Sequence, residues 1–333
     1  MRAGWLGLLF LFAAASPVAA ASDAPAAAME SYLHPYVTSQ NFSGSVAVAR
    51  DGKRVFGQSY GAADAEAGVN NTLQTRYHIA SLSMQFTAAA ILRLADAGRL
   101  SLDAPVTDVV PDLPNSGKIT IRHLLTHGAG FPEDNPWGDR QLADTDRELS
   151  ELLKRQISFS NPPGIAYEYA NLGFALLGRI VTKVSGMPYQ RYIRENIWRP
   201  LGMTTSEWEY ANVAPDKLAH GYRWQRERWE EETLLHDTPD GSWGAMGSMI
   251  SSIDEFSKYM AFHLSAWPPS NAAETGPVKR ASVREMHHPW RFNGLTPNFT
   301  YPDGRVCATA GAYSYGLGWL RDCESRVYIG HSG

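Results

Sequence analysis

The stretch Tyr77-His-Ile-Ala-Ser81-Leu-Ser-Met84-Gln-Phe-Thr87 decides how the chain is read. Downstream of Ser81 the pattern changes to a helical period. Phe86, Ala89, Ala90, Ala97 and the Ile91/Leu92/Leu94 group suit a helix over Gln85 to Leu100, buried on most of its surface, with Gly98 as its stop. A serine placed just before such a helix sits at the positive end of its dipole, among N–H groups that favour developing negative charge. Ser81 is therefore a candidate nucleophile, and Ser83 fits the frame less well. A second stretch, Tyr169-Ala-Asn171 after Pro162-Pro-Gly164, puts a tyrosine and an asparagine two apart on a loop that opens an apolar helix over Leu172 to Val184. Asn171 also suits the N-cap of that helix. The third stretch is Ile329-Gly-His331-Ser-Gly333.

Outward from these, Phe42 to Arg50 and Lys53 to Tyr60 alternate like strands around Asp51-Gly52, a hairpin turn. Thr120 caps a helix expected to run through His127. Tyr189 to Trp198 continues helically until Pro200, and Ile253 to Leu264 is amphipathic with Ser252 or Asp254 as cap. Tyr315 to Trp319 and Arg326 to Ile329 read as strands. The expectation is an α+β fold: an antiparallel sheet built from both chain ends, about 42–62 and 305–333, with a mainly helical region at about 63–304 between them.

Composition is that of a globular protein: 333 residues, 44% hydrophobic, formal charge −4. Disorder and nucleic-acid binding are thereby disfavoured. At the N-terminus, Arg2 precedes an apolar run from Trp5 to Ala15, shorter than the ~20 residues needed to span a bilayer. Residues 1–21 are read as a signal peptide and 22–41 as a linker, Ser22 to Ala28, with a first helix. The protein is expected to be exported, periplasmic or secreted, without an integral membrane segment. Export permits a disulfide between the two cysteines, Cys307 and Cys323; two separate thiols are equally compatible with the sequence.

Taken in order, Ser81, Tyr169-Ala-Asn171 and His331-Ser-Gly333 resemble the motifs of the serine β-lactamase-like hydrolases: class C β-lactamases, DD-peptidases and esterases. Ile121-Arg-His-Leu-Leu-Thr-His127, Arg199-Pro-Leu-Gly-Met203, Gly244-Ala-Met-Gly-Ser248 and Tyr315-Gly-Leu-Gly-Trp319 resemble the same family, so the likeness covers roughly 42–333. The resemblance implies a β-lactamase/transpeptidase-like fold and acyl transfer. Ser81 would attack an amide or ester carbonyl and Tyr169 would serve as base and then acid. Asn171, His331 and Gly333 would bind substrate. No cofactor or metal is implied; the partner is a small-molecule or peptide substrate.

Two departures stand out. The family has Ser-x-x-Lys, whereas Met84 occupies the lysine position and no serine of the chain has Lys three residues later. Methionine carries no charge and donates no proton, and without a neighbouring cation a phenol keeps its ordinary pKa near ~10. Acylation is expected to be impaired. In the family a second oxyanion donor follows the x-Gly pair, at position 334, so the domain is read as truncated after its third motif, with its C-terminal part missing.

Rival readings are a catalytically inactive binding protein for peptidoglycan-like peptides or acyl ligands, and an α/β-hydrolase with Ser332 in a Gly-x-Ser elbow, which lacks the acid and histidine that must follow. His123 and His127, four apart, lack the Glu of a zinc helix and are expected to shape the helix end. His287-His288 reads as a surface turn. Trp224, Trp229 and Trp243 suit packing more than a cleft.

Overall fold

The computed structural model describes residues 24–39, 41–114, 116–135, 137–155, 157–232, 240–301 and 303–333. The stretch expected to be a signal peptide, 1–21, lies outside them. Helix α1 (Ala24–Thr38) begins inside the stretch read as a linker, whose alanines are good helix formers. The first hairpin joins β1 (Gly44–Arg50) to β2 (Lys53–Tyr60) with Arg50 opposite Lys53. Asp51 and Gly52 both take positive φ, 52° and 73°, the mirror-type turn that matches strand twist. Two short pairs follow: β3 (Ala62–Asp64) with β4 (Val69–Asn70), and β5 (Tyr77–His78) with a later strand.

Helix α2 (Met84–Asp96) is buried over its first nine residues and packs against α5 (Asn171–Ser185), buried from Asn171 to Val181. Together they form the centre of the core. Between them lie α3 (Ile121–Leu125) and α4 (Asp146–Lys154), both opened by capping boxes at Thr120 and Thr145. The helix from Thr120 stops at Leu125, short of His127, because His127 turns to a left-handed φ of 51°. Gly186, at φ 77°, ends α5. The next helix, α6 (Tyr189–Ile193), continues into one wider turn over Arg194–Trp198.

The region expected to be helical also holds strands: the hairpin β6 (Tyr222–Gln225) with β7 (Arg228–Glu231), β8 (Ile250–Ser251) paired with β5, and, after α7 (Ile253–Leu264) and α8 (Arg280–Met286), β9 (Arg291–Thr300). β9 carries Gly294 and Pro297 and is exposed on both faces, so no period-two alternation marks it; as an edge strand it tolerates proline.

β10 (Val306–Tyr313), β11 (Gly318–Arg321) and β12 (Val327–Gly330) complete a four-stranded antiparallel ladder in the order β12-β11-β10-β9. Both chain ends thus supply antiparallel strands, as expected, but as two ladders and not one sheet. Each rung joins neighbours in sequence, and alternation does not report pairing between distant strands. A parallel sheet, which an elbow at Ser332 requires, is absent among these ladders.

Cys307, at the start of β10, is joined to Cys323 in the β11–β12 turn. Of the tryptophans, Trp243 is fully buried, whereas Trp224 and Trp229 face each other across the β6–β7 hairpin and are exposed. His287 and His288 lie in a turn, His288 exposed and His287 half-buried, with the His287 ring against His263 of α7, Nε2 to Nδ1 2.8 Å. Among the described residues no helix is long and apolar enough to cross a membrane.

Candidate active site

The Ser81 segment is held by backbone on both sides. β5 pairs with β8, and the Ile79 amide donates to the Met249 carbonyl at 2.9 Å. The chain then passes through Ala80 at φ 45°, a left-handed conformation that costs a non-glycine residue free energy and recurs at functional sites. That kink lifts Ser81 into a tight turn, Ala80–Ser83, that runs straight into α2. Ser81 lines a cavity of about 1420 Å³. Ser83 does not: it is fully buried, and its Oγ accepts from the Met249 amide at 3.0 Å.

One turn on, Met84 is fully buried. Two phenols converge on its sulfur: the Tyr169 hydroxyl donates to Sδ at 3.5 Å, and that of Tyr313, at the end of β10, lies 3.8 Å from the same atom. A thioether is a weak acceptor and carries no charge. At this position the phenol therefore meets an uncharged thioether, where a cation would favour its ionised form.

His127 organises the loop that carries Tyr169. Its carbonyl accepts from the Glu168 amide at 3.0 Å, and its Nδ1 accepts from the Ala170 amide at 3.1 Å. The imidazole lies behind Tyr169 and Tyr313, with ring centroids 4.3 and 4.5 Å apart. Burial, with His331 nearby, pushes its pKa down to about 3, so it is neutral. His123 instead turns its Nδ1 to the Thr120 amide in the capping box. The two histidines are thus engaged separately in local structure. Among the described residues no three His, Cys, Asp or Glu side chains gather as a metal site.

Asn171 is placed differently from expectation. It is fully buried at the first turn of α5 and lies behind the cavity wall. The cap of α5 is the Asp134 carboxylate, which accepts from the Asn171 and Leu172 amides at 2.7 and 2.9 Å. Burial raises the Asp134 pKa against the lowering effect of those amides. The Asn171 Nδ2 donates to Asn135 Oδ1 at 2.9 Å, and it is Asn135 that reaches the cavity. Asn171 therefore does not itself line the cavity, but it holds the cavity residue Asn135.

The opposite wall is the end of the chain. His331, Ser332 and Gly333 all line the cavity. Gly333 needs its missing side chain: a Cβ there would stand 2.1 Å from the Ile79 carbonyl, so only glycine brings this backbone against the turn that holds Ser81. Gly316 serves the same purpose behind the site. It has φ 68°, and a Cβ would lie 2.9 Å from the Met84 carbonyl. Tyr313 hydrogen-bonds to His331 Nε2 at 2.8 Å. Farther out, Arg140 and Arg223 share the lining with Glu133 and Glu232, and Arg223 is paired to Glu232 at 3.0 Å.

Ser81, Tyr169, His331 and Gly333 thus meet at one cavity, with Met84 beneath. The motif reading missed Asn135, Ala80 and Tyr313. Ala80 leaves no trace in a sequence because the strain is conformational, and Asn135 belongs to no motif. Tyr313 stands two residues before the Tyr315 motif, in a strand of small alternating residues.

A beta-lactamase family model matches residues 29–333. Protein flp of Staphylococcus aureus (strain COL) is 30% identical over 299 residues, covering 87% of this chain and 54% of that protein. The chain spans about half the length of the curated relatives it matches. Among solved structures, the octameric penicillin-binding protein homologue from Pyrococcus abyssi superposes with a TM-score of 0.74 at 26% identity, covering 92% of this chain and 67% of that one. D-amino acid amidase from Ochrobactrum anthropi SV3 shares the fold, with a TM-score of 0.69 at 23% identity over 93% of this chain and 84% of its own.

Proposed function

The chain belongs to the beta-lactamase family, a family of serine hydrolases, and from that premise we propose an exported hydrolase that opens amide or ester acyl groups through Ser81, with turnover held low by Met84. One observation carries the reading: a fully buried thioether stands one helical turn from Ser81 and takes the Tyr169 hydroxyl, where the family resemblance calls for an ammonium. In the forward step the Ser81 Oγ bonds to the carbonyl carbon. The C–N or C–O bond then breaks, and the Ser81 proton ends on the departing nitrogen or oxygen. Water releases the acyl group and restores the Ser81 hydroxyl. The turn at the start of α2 favours the negative charge that develops on the carbonyl oxygen. At position 84 a methionine stands where the family resemblance calls for a proton-carrying lysine. Such acid–base help contributes about 10²–10⁴-fold.

Export is supported by the apolar N-terminal run and by the Cys307–Cys323 bridge, since such bonds persist in oxidising compartments. The substrate class rests on the carbonyl chemistry of Ser81; the name of the amidase that shares the fold is consistent with it.

The same buried thioether supports a second reading, a binding protein for peptidoglycan-like peptides or acyl ligands. Intact-mass measurement after exposure to a fluorophosphonate decides between them. A slow, stoichiometric adduct that disappears in Ser81→Ala supports the hydrolase. Saturable, reversible binding of an acylated D-alanyl peptide with no adduct on Ser81 supports the binder and overturns the hydrolase.

A further inference from the structure

Tyr313 belongs to none of the motifs, yet its hydroxyl lies between Met84 Sδ at 3.8 Å and His331 Nε2 at 2.8 Å. It is buried at the end of β10, with its ring edge-on to His331. The proton positions follow from the partners. His331 Nδ1 hydrogen-bonds to the Ser332 carbonyl, and a carbonyl oxygen only accepts, so Nδ1 carries the hydrogen. In a neutral ring Nε2 is then a bare lone pair. The Tyr313 O–H fills it: the Met84 thioether, also nearby, is a weaker acceptor and 1 Å farther away.

Resting on the reading of Ser81 as nucleophile, we propose that Tyr313 is a positioning residue that locks His331 as the neutral Nδ1–H tautomer, so that the wall facing Ser81 meets substrate as an uncharged ring with both nitrogens engaged. His331 then supplies shape and a fixed backbone for Ser332 and Gly333, and does not supply a cation for a substrate carboxylate.

The titratable groups around the ring agree with a neutral state. Tyr169 approaches from the loop before α5, Tyr313 from β10, and His127 from the end of α3. Burial pushes His331 below the ordinary imidazole value and raises Tyr313 well above the ordinary phenol value. Tyr313 thus stays protonated and remains a donor. His127, buried and neutral behind both tyrosines, adds no competing charge.

The test is long-range ¹H–¹⁵N NMR of the histidine rings in the full chain. The His331 signal is identified by its loss in His331→Gln, and the spectra are followed from neutral to mildly acidic pH in wild type and in Tyr313→Phe. Wild type is expected to show the Nδ1–H tautomer throughout. In Tyr313→Phe the Nε2–H form should appear, or the His331 pKa should rise by roughly 0.5–1 unit, the equivalent of one ordinary hydrogen bond. A wild-type Nε2–H tautomer overturns the proposal whether or not the variant folds. So does a folded Tyr313→Phe with unchanged tautomer and titration. These readouts need no catalysis: absence of a Ser81 adduct would refute the nucleophile reading, while the ring spectra judge Tyr313 separately.

Discussion

Replacing Met84 by lysine restores the missing charge carrier, and its consequences can be worked from the surroundings. The side chain is fully buried, and two phenol oxygens lie within 4 Å of its sulfur, at 3.5 and 3.8 Å. An ammonium placed there loses its hydration. If burial drew its pKa from ~10.4 to ~7, the variant would be destabilised by about 4 kcal/mol at neutral pH. The hydroxyls of Tyr169 and Tyr313 accept from the amine and each returns about 0.5–1.5 kcal/mol. The net cost is about 1–3 kcal/mol, which a domain of ordinary stability survives.

The same depressed pKa makes the amine a competent proton carrier near neutrality. Met84→Lys should therefore melt lower than wild type yet acylate about 10²–10⁴ times faster. The assay is an intact-mass time course with a neutral fluorophosphonate and with an acylating β-lactam, with thermal melts on the same samples. Met84→Leu, close in volume, should change stability by less than ~1.5 kcal/mol and leave the rate alone. A folded Met84→Lys that labels no faster than wild type refutes the reasoning, because the limiting element would then lie elsewhere.

Tyr169→Phe in the Met84→Lys background should lose about 10²-fold or more of the gained rate without loss of the fold; retention of the gain would move the proton path away from Tyr169. Burial holds His127 and His263 at about 3, each helped by a neighbouring histidine, while an unfolded histidine titrates near 6.5. Below about pH 6.5 the unfolded chain binds more protons than the folded one, so stability present above that pH falls by about 1.4 kcal/mol per unit per histidine as the solution is acidified, down to about pH 3. Urea melts at pH 7.5, 6 and 5 read this directly, and equal stability at all three contradicts it. Opening the Cys307–Cys323 bridge, which spans 16 residues, should cost about 3 kcal/mol on the loop-entropy account; a Cys307→Ser/Cys323→Ser chain that melts with wild type would mean that the ladder holds those ends by itself. Gly333→Ala should open the contact with Ile79 and slow Ser81 labelling in the Met84→Lys background, since the added carbon has no room; an unchanged rate would show that the approach of the two backbones is dispensable.

What was legible in the sequence and what was not separate by physical cause. The helices around the core were readable because burial on one or more faces imposes a period. α7 matches its expected limits, and the Asp51-Gly52 turn carries its conformation in its residue types. Ladder assignment was not readable, since β9 is an exposed edge containing Gly294 and Pro297, and strands far apart in sequence carry no mark of their partners. His127 ends α3 early through a left-handed φ, a choice imposed by the loop it serves and not by its own propensity.

The site divides along the same line. Ser81, Tyr169, His331 and Gly333 are residue types that their chemistry demands, so a sequence displays them. The residues that set their behaviour are legible only in space: Asn135 in front of Asn171, Asp134 on the first amides of α5, and Tyr313 on His331. Met84 belongs to both groups. The sequence shows the missing charge, and the fold adds that the methionine standing in its place is fully buried and bordered by two phenols. A buried position is harder to recharge than an open one, because burial penalises an ion far more than a neutral group. Whichever group is placed at position 84 therefore determines whether the Tyr169 hydroxyl meets a neutral thioether or a cation there.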